Sequence, residues 1–334
     1  MSNDLTAVAP AAVTLASPTA ALREVMKSET GKAIIGHEEA IELITAAAIA
    51  GGHILLEGPP GIAKTLLANT VAHVLGVKFN RLQFTPDTTP SHIAGETIFR
   101  MGEPQFVPGP VFTNLLLADE INRTSARTQA ALLEAMQERQ VTVDGATHFL
   151  PAPFMVIATQ NPYEQEGVHP LPESQLDRFL FKVEMDYGTA EQELTTLGLR
   201  HAGLSPDVIG EIHPMLSPAL LVNAQREIDD AIVPESVARY VVEIVRATRS
   251  VPTVRLGASS RAARHLLTAA RANTRLDGRD EVTEADVEKM AGPVLRHRLM
   301  MANGDDPRAA VDEALTMART SLRSRSTALG GEHS

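Results

Sequence analysis

Apolar residues along the chain fall into short runs typical of strands and longer amphipathic stretches typical of helices. Four runs predict strands of a buried sheet: HILLEG (53–58), KFNRLQF (78–84), NLLLADEI (114–121) and FMVIATQN (154–161). Helical periodicity appears in AIELITAAAIAGG (40–52), KTLLANTVAHVLG (64–76) and SARTQAALLEAMQER (125–139). Strands that alternate with helices predict an α/β fold, in which a parallel sheet is covered by helices on both faces.

Two further segments interrupt this alternation and predict hairpins. Residues 96–112 (ETIFRMGEPQFVPGPVF) have hairpin character around a Met-Gly pair. Residues 140–150 (QVTVDGATHFL) alternate around an Asp-Gly pair, which is a strong tight-turn signal. Both segments are longer than a strand–helix connection requires. From about residue 190 onward the pattern is helical throughout.

The pattern divides the chain into four parts. Residues 20–189 form the predicted α/β core with its two hairpin inserts, and residues 190–324 form a predicted all-helical domain. Residues 1–19 and 325–334 are predicted to be disordered tails. The first tail is rich in alanine and lacks a basic stretch, so a tail is favoured over a signal peptide. No apolar run reaches the roughly 18 residues of a membrane span, and we expect a cytoplasmic protein.

Composition removes several classes of function. The chain has no cysteine, which excludes disulfides, zinc–thiolate sites and thiol catalysis. Its formal charge of −11 and its aromatic content of 4% argue against a protein that wraps nucleic acid or stacks bases. The histidines show no metal-ligand spacing. The basic triplet at 296–298 is predicted to be a solvated or interdomain cluster, with anion binding as the alternative.

The stretch EGPPGIAKT, residues 57–65, nearly matches a phosphate-binding loop. Backbone N–H groups of such a loop cradle phosphates at a helix N-terminus. Lys64 would pair with the β- and γ-phosphates, and Thr65 would bind Mg²⁺. Ala63 stands directly before the lysine, and we expect it to adopt right-handed helical dihedrals and open the helix. The alternative is an ordinary Gly-Pro-Pro-Gly turn.

Polar residues that follow the later strands complete a candidate hydrolysis site. Asp119 would hold Mg²⁺ through water and Glu120 would polarise the attacking water; the alternative is an acidic pair that caps the next helix. Asn161 could orient the water or contact the γ-phosphate, or it could simply form an Asn-Pro turn. The alternative interpretations of Arg178 and Arg261 are a surface salt bridge and a helical surface arginine.

Taken in order, the segments GPPGIAKT, LLLADEINR, ALLEAMQER, PFMVIATQNP, LPESQLDRF and GASSRA resemble the MoxR family of AAA+ ATPases. The resemblance runs from about Gly36 to about Arg298, and alanine before the loop lysine is usual in that family. It implies an AAA+ P-loop core, with a parallel sheet sandwiched by helices, and a C-terminal all-helical lid domain. The two hairpins match the helix-2 insert and the pre-sensor-1 hairpin, which we expect to face a ring's central pore or a partner.

The resemblance also implies a role for each candidate residue. Those expected to bind ATP are Ile35, Gly36, Gly58, Pro59, Pro60, Gly61, Ile62, Ala63, Lys64, Thr65, Leu66 and Asp119. Those expected to bind Mg²⁺ are Thr65 and Asp119. Those expected to take part in catalysis are Glu120 (Walker B), Asn161 (sensor 1), Arg178 (arginine finger) and Arg261 (sensor 2).

The function that this resemblance implies is Mg²⁺-dependent ATP hydrolysis in a homo-oligomeric ring, expected to be a hexamer. The ring would act like a chaperone that remodels or matures a protein partner carrying a von Willebrand factor A domain. The alternatives are an AAA+ nucleic-acid motor and a nucleotide-switched scaffold with little turnover. His37 and His92 replace the glutamine and aspartate usual in the family, which affects expected partner contacts more than hydrolysis.

Overall fold

The computed structural model describes residues 19–163, 167–198 and 212–330, so residues 1–18 and 331–334 of the two predicted tails lie outside the described residues. The elements of the N-terminal part are, in chain order, α1 (Leu22–Thr30), α2 (Glu38–Ile49), β1 (Ile54–Glu57), α3 (Lys64–Val74), β2 (Phe79–Gln83), α4 (Pro90–Ala94), β3 (Gly95–Arg100), β4 (Glu103–Pro108), β5 (Leu115–Asp119), α5 (Ala126–Glu138), β6 (Gln140–Val143), β7 (Ala146–Phe149), β8 (Met155–Gln160), α6 (Glu173–Leu176) and β9 (Phe181–Glu184). Those of the C-terminal part are α7 (Ala190–Gly198), α8 (Pro218–Glu227), α9 (Glu235–Ala247), β10 (Val254–Leu256), α10 (Ser260–Leu276), α11 (Glu284–Leu295), β11 (Met300–Met301) and α12 (Pro307–Gly330).

A five-stranded parallel sheet with the order β2-β5-β8-β1-β9 forms the centre of the molecule. The predicted α/β fold is therefore confirmed. Because the strands are parallel, the carboxyl ends of β1, β5 and β8 open on the same edge. Strand β1 lies between β8 and β9, which both follow it in the chain. Open parallel sheets bind their ligands outside the carboxyl ends of the strands, where the strand order reverses.

Alternate residues of the strands feed two separate hydrophobic cores. Ile54 and Leu56 belong to the core on one face, which continues into α2, α3 and the C-terminal helices. Leu55 belongs to the core on the other face, which includes α5 and the base of the second hairpin. The helical part is thus joined to one face of the sheet by a shared core. In the described part of the chain, no helix is both long and apolar enough to cross a membrane.

Both predicted hairpins are present as antiparallel pairs, β3 with β4 and β6 with β7. Their turn residues, Met101-Gly102 and Asp144-Gly145, all have positive φ, as type I′ turns require. The rings of Phe106 and His148 stack with their centroids 3.8 Å apart, so the two hairpins pack against each other. Large apolar side chains remain exposed on them, namely Phe99, Met101, Val107 and Phe149.

The structure differs from the sequence predictions in short or terminal elements. β9 was not predicted, because its four residues include the polar side chains of Lys182 and Glu184. The C-terminal part is not wholly helical, since β10 pairs with β11. Helix α12 continues to Gly330, beyond the predicted boundary at residue 324. Thr19, predicted to lie in a tail, is buried, and its hydroxyl donates to Glu227 Oε2 at 2.8 Å.

The connection between β1 and α3 contains a further difference from the prediction. Ala63, the residue before α3, has φ 61° and ψ 23°, which is the left-handed region. The expectation of right-handed dihedrals was wrong, because the loop keeps the conformation of the glycine that the usual motif has there. A residue with a Cβ pays roughly 1–2 kcal/mol for this conformation.

Replacement of Ala63 by glycine should therefore stabilise the protein. We expect Ala63→Gly to raise the free energy of unfolding by about 0.5–1 kcal/mol, because relief of the left-handed strain exceeds the added chain entropy. The matched control is Ala130→Gly, at an exposed position inside α5, which should lower it by about 1 kcal/mol. Urea unfolding measures both, and a similar loss at the two positions would contradict the loop conformation.

Candidate nucleotide site

A cavity of about 970 Å³ opens at the carboxyl ends of β1, β5 and β8. Of the predicted site residues, it is lined by Ile35, Pro60, Gly61, Ile62, Ala63, Lys64, Thr65, Leu66, Asp119, Glu120 and Asn161. Its size and its position at the sheet edge are those of a small-molecule site. Gly36 lines a smaller neighbouring pocket instead. Gly58 and Pro59 support the loop from outside the cavity lining.

Two glycines give the loop between β1 and α3 its shape. A Cβ on Gly58 would lie 2.4 Å from the carbonyl oxygen of Met185, so only glycine allows the loop to pass so close to the end of β9. Gly61 has φ 83°, and a Cβ there would meet no atom within 4 Å. Open space therefore adjoins the loop at Gly61, which also lines the cavity.

Lys64 supplies the positive charge of the loop. Its Nζ donates to the carbonyl oxygens of Gly58 at 2.6 Å and Pro59 at 3.1 Å. Burial lowers the pKa of this ammonium group, while the carboxylates of Asp119 and Glu120 oppose that effect. The ammonium thus lies against its own loop and faces two carboxylates, an arrangement suited to an anion bound together with a cation.

The carboxylate of Asp119 is the most connected group in the cavity. Its Oδ1 accepts a hydrogen bond from Thr159 Oγ1 at 2.6 Å. Its Oδ2 accepts from Thr65 Oγ1 at 3.4 Å and from Arg81 Nε and Nη2 at 3.0 and 2.8 Å. A hydroxyl and a carboxylate oxygen this close can both ligate one Mg²⁺, which prefers oxygen ligands at about 2.0–2.1 Å. The residues present therefore fit the expected metal.

Glu120 is held in place by two neighbours. Its Oε2 accepts from Gln83 Nε2 at 2.7 Å and forms an ion pair with Arg123 Nε at 2.8 Å. Its backbone has φ 57°, and its N–H donates to Thr159 Oγ1. The residue precedes a short 3₁₀ helix but makes no side-chain cap there, and Ser125 caps α5 instead. The alternative of an acidic capping pair is therefore excluded.

Asn161 forms the turn that was one of its two sequence interpretations, and it also lines the cavity. Its Oδ1 accepts from the backbone N–H of Tyr163 at 3.1 Å, which is a local turn contact. The side chain of Asn122 also donates to its carbonyl oxygen at 3.3 Å. The turn fixes the amide at the cavity wall, and a role in orienting water or the γ-phosphate stays a prediction.

Arg178 and Arg261 do not line this cavity. Both lie at a second cavity of about 300 Å³, together with Arg139 and His265. Among the described residues the side chain of Arg178 forms no hydrogen bond or ion pair, and its buried Nε has no partner. The alternative predicted for Arg178 was a surface salt bridge. Neither of the neighbouring carboxylates, Asp177 and Glu173, forms one with it in the described contacts. Asp177 instead pairs with Arg298 at 2.7 Å and lies 3.9 Å from Arg261.

Several residues at the cavity escaped the sequence analysis. Arg81 and Gln83 both bear on the acidic pair, and Arg81 Nη2 also donates to Gln83 Oε1 at 2.6 Å. Their spacing in RLQF offered a signal, since polar residues two apart at the end of a strand share one face. Thr159 likewise precedes Asn161 by two residues at the end of β8. Tyr187 and Gln192 add a wall from around α7.

Comparison with known proteins identifies the family of each part of the chain. Residues 53–181 match the ATPase family associated with various cellular activities (AAA), and residues 246–316 match the AAA lid domain. The chain is 43% identical over 284 residues to Chaperone MoxR1 of Mycobacterium tuberculosis, which covers 82% of this chain and 74% of that protein.

Two further relatives extend over most of the chain. Uncharacterized protein YeaC of Bacillus subtilis is 44% identical over 272 residues, covering 81% of this chain and 84% of that protein. A crystal structure from Cytophaga hutchinsonii, solved as that of a candidate ATPase, superposes with a TM-score of 0.82 at 37% identity, covering 90% of this chain and 96% of that one. The chain therefore belongs to the MoxR family of AAA+ ATPases.

Proposed function

We propose that this protein hydrolyses ATP with Mg²⁺ in a ring of identical subunits and uses the cycle to remodel a protein partner. One observation carries the proposal. The 970 Å³ cavity combines a phosphate loop with Lys64, the metal-ligand pair and Glu120, whereas Arg178, with an unpaired guanidinium, lies at another cavity. Each chain thus offers a nearly complete hydrolysis site and, separately, a cation suited to complete a neighbour's site.

Binding of ATP rests on the loop and its lysine. Backbone N–H groups at the start of α3 and the ammonium of Lys64 would hold the phosphates, and Ile35 would contact the adenine. Thr65 and Asp119 would hold Mg²⁺, which when bound neutralises charge on the phosphates. Arg81 donates to Asp119 Oδ2 and would compete with the metal for this oxygen.

Hydrolysis requires a base and a stabiliser of transition-state charge. Glu120 would orient and polarise the attacking water once its Oε2 is released from Gln83 and Arg123. Asn161, fixed at the cavity wall by its turn, would orient the same water or the γ-phosphate. Within one chain, the described cavity contains no arginine from the segment that carries Arg178.

The position of Arg178 and Arg261 at the second cavity supports the proposed ring. A buried guanidinium nitrogen without a partner is costly, and the γ-phosphate of a neighbouring subunit would satisfy it. Contacts between unlike surfaces of identical chains generate a closed ring when the rotation closes, and we propose a hexamer. Arg261 shares the second cavity with Arg178, so we propose that it acts on the same neighbouring nucleotide.

The proposed partner of the ring is another protein. The relative named Chaperone MoxR1 supports a chaperone-like action, and the family resemblance favours a partner with a von Willebrand factor A domain. The exposed apolar side chains of the two hairpins offer a contact surface for it. The formal charge of −11 gives no support to the alternative of a nucleic-acid motor.

Loss of the lysine charge should weaken nucleotide binding. We expect Lys64→Ala to bind ATP roughly 10–100-fold more weakly, because a charge-assisted contact to the phosphates is worth about 1.5–3 kcal/mol. Titration calorimetry measures the affinity. Lys78→Ala, which removes an exposed lysine outside the cavity, serves as the control. Equal ATP affinities of wild type and Lys64→Ala would show that the loop does not bind the phosphates.

Glu120→Gln should bind ATP with near wild-type affinity but lose at least about 100-fold in turnover, since the amide cannot act as a base. Phosphate release under single-turnover conditions measures this. Glu134→Gln, on the exposed face of α5, is the control. A Glu120→Gln turnover within a few-fold of wild type would assign the base elsewhere. Negligible turnover in the wild type would favour the nucleotide-switched scaffold.

Arg178→Ala should retain ATP affinity and lose roughly 10³–10⁵-fold in turnover, the effect of known arginine fingers. Mixing tests whether it acts between subunits. Arg178→Ala keeps Glu120, and Glu120→Gln keeps Arg178, so a mixed interface should recover activity. The control mixes Arg178→Ala with the double variant Glu120→Gln/Arg178→Ala, where no interface contains the finger. Full activity of Arg178→Ala alone would sink the assignment.

A further inference from the structure

The basic triplet Arg296-His297-Arg298 lies between the helical part and the sheet. The three residues form a 3₁₀ turn after α11 and are only 9, 7 and 8% exposed. The prediction of a solvated cluster is therefore wrong, and the interdomain alternative holds. Their side chains reach the segment 177–182, which leads from α6 into β9 and carries Arg178.

Arg298 binds the backbone on both sides of Arg178. Its Nη2 donates to the carbonyl oxygens of Asp177, at 3.3 Å, and of Phe179, and its Nη1 donates to that of Leu180 at 3.3 Å. Its Nε donates to Asp177 Oδ1 at 2.7 Å. One guanidinium from the helical part thus holds the residues directly before and after Arg178.

Asp177 extends the same contact to the second arginine of the cavity. Its Oδ2 accepts from Ser259 Oγ at 3.3 Å and lies 3.9 Å from Arg261 Nη1. Ser259 caps the N-terminus of α10, and Arg261 stands in the first turn of that helix. Asp177 therefore connects the buried Arg298 to Arg178 and Arg261, two of the three arginines that line the second cavity.

The side chain of Arg178 remains uncommitted while its backbone is held. The guanidinium of Arg178 has no hydrogen bond or ion pair within the described part of the chain, although Asp177 is its neighbour in sequence. Asp177 is already engaged by Arg298, so it does not draw the guanidinium of Arg178 away from the cavity. Burial lowers the pKa of Arg298 to about 10, against the opposing effect of Asp177, so Arg298 stays charged at neutral pH.

We infer that Arg298 is a positioning residue for Arg178. It fixes the backbone from Asp177 to Leu180 and occupies Asp177, so that the Arg178 side chain is presented at the second cavity. A misplacement of about 1 Å in a group that acts on the transition state can cost roughly 10²-fold in rate. The inference rests on the proposed finger role of Arg178, and it implies that the helical part controls the finger's geometry.

Arg296 provides a matched control two residues away. It is equally buried, and its Nε and Nη2 donate to the carbonyl oxygen of Lys182 at 3.0 and 2.5 Å. This contact also joins the helical part to β9, but it does not touch the residues from Asp177 to Leu180. Changes that merely loosen the junction should therefore act alike at Arg296 and Arg298.

The test compares Arg298→Lys with Arg296→Lys in ATP affinity, kcat and thermal unfolding. Lysine keeps the charge but lacks the planar fork that reaches several acceptors. We expect Arg298→Lys to lower kcat at least about 10-fold with unchanged ATP affinity, and Arg296→Lys to retain kcat. Mixing Arg298→Lys with Glu120→Gln should restore part of the activity, because the defect lies in the supplied finger. Equal effects of the two lysine variants on kcat would overturn the inference.

A double-variant cycle separates positioning from general damage. If Arg298 acts through Arg178, Arg298→Lys should lower kcat no further in the Arg178→Ala background. An additional loss there would refute the inference. If Arg298→Lys does not fold, Asp177→Asn replaces it in the same kcat comparison, because asparagine keeps the shape of the side chain and weakens its ion pair with Arg298. Full activity of Arg178→Ala would defeat the proposed function; a defective Arg178→Ala with an active Arg298→Lys would defeat only this inference.

Discussion

The carboxylate of Asp119 is the group on which the arrangement of the cavity depends. It accepts hydrogen bonds from Thr159 in β8, Thr65 in α3 and Arg81 in β2, so one side chain connects three neighbouring elements. These contacts are possible because β5 lies between β2 and β8 in the sheet. The strand order thus brings together residues that are far apart in the chain, and the charge of Asp119 explains why two cations, Lys64 and Arg81, are found beside it.

A second constraint separates the site into two parts. The phosphate loop, Asp119 and Glu120 share one cavity, while Arg178 and Arg261 share another. The buried contact between Arg298 and Asp177 joins the second cavity to the helical part of the chain. In the proposed ring, a movement of the helical part in one subunit would therefore change the geometry offered to the nucleotide of the next.

The sequence was sufficient to predict the central sheet and most of the candidate site. Long apolar runs identified four of the five strands, and the tight-turn pairs located both hairpins. β9 was missed because a four-residue strand with two charged side chains has little apolar signal. The left-handed conformation of Ala63 could not be inferred from alanine's own preferences, because the loop around it imposes the dihedrals.

Contacts between distant parts of the chain were also beyond the sequence pattern. Nothing local in RHR shows that two arginines and a histidine are buried against the segment 177–182, since charged side chains are almost never fully buried unless paired. Likewise, the pairing of Arg81 with Asp119 depends on the neighbouring positions of β2 and β5. Lys64 and Glu120 could be identified from the sequence because each follows a recognisable strand.

In the proposed ring, Arg178 of a neighbouring subunit completes the hydrolysis site. The most direct measurement is an electron cryo-microscopy structure of Glu120→Gln with ATP and Mg²⁺. The account predicts a closed ring in which the guanidinium of Arg178 lies within hydrogen-bond distance, about 3 Å, of the γ-phosphate bound by the adjacent subunit. A nucleotide-bound assembly in which Arg178 is remote from every γ-phosphate, or in which the phosphate lies outside the cavity at Lys64, would contradict it.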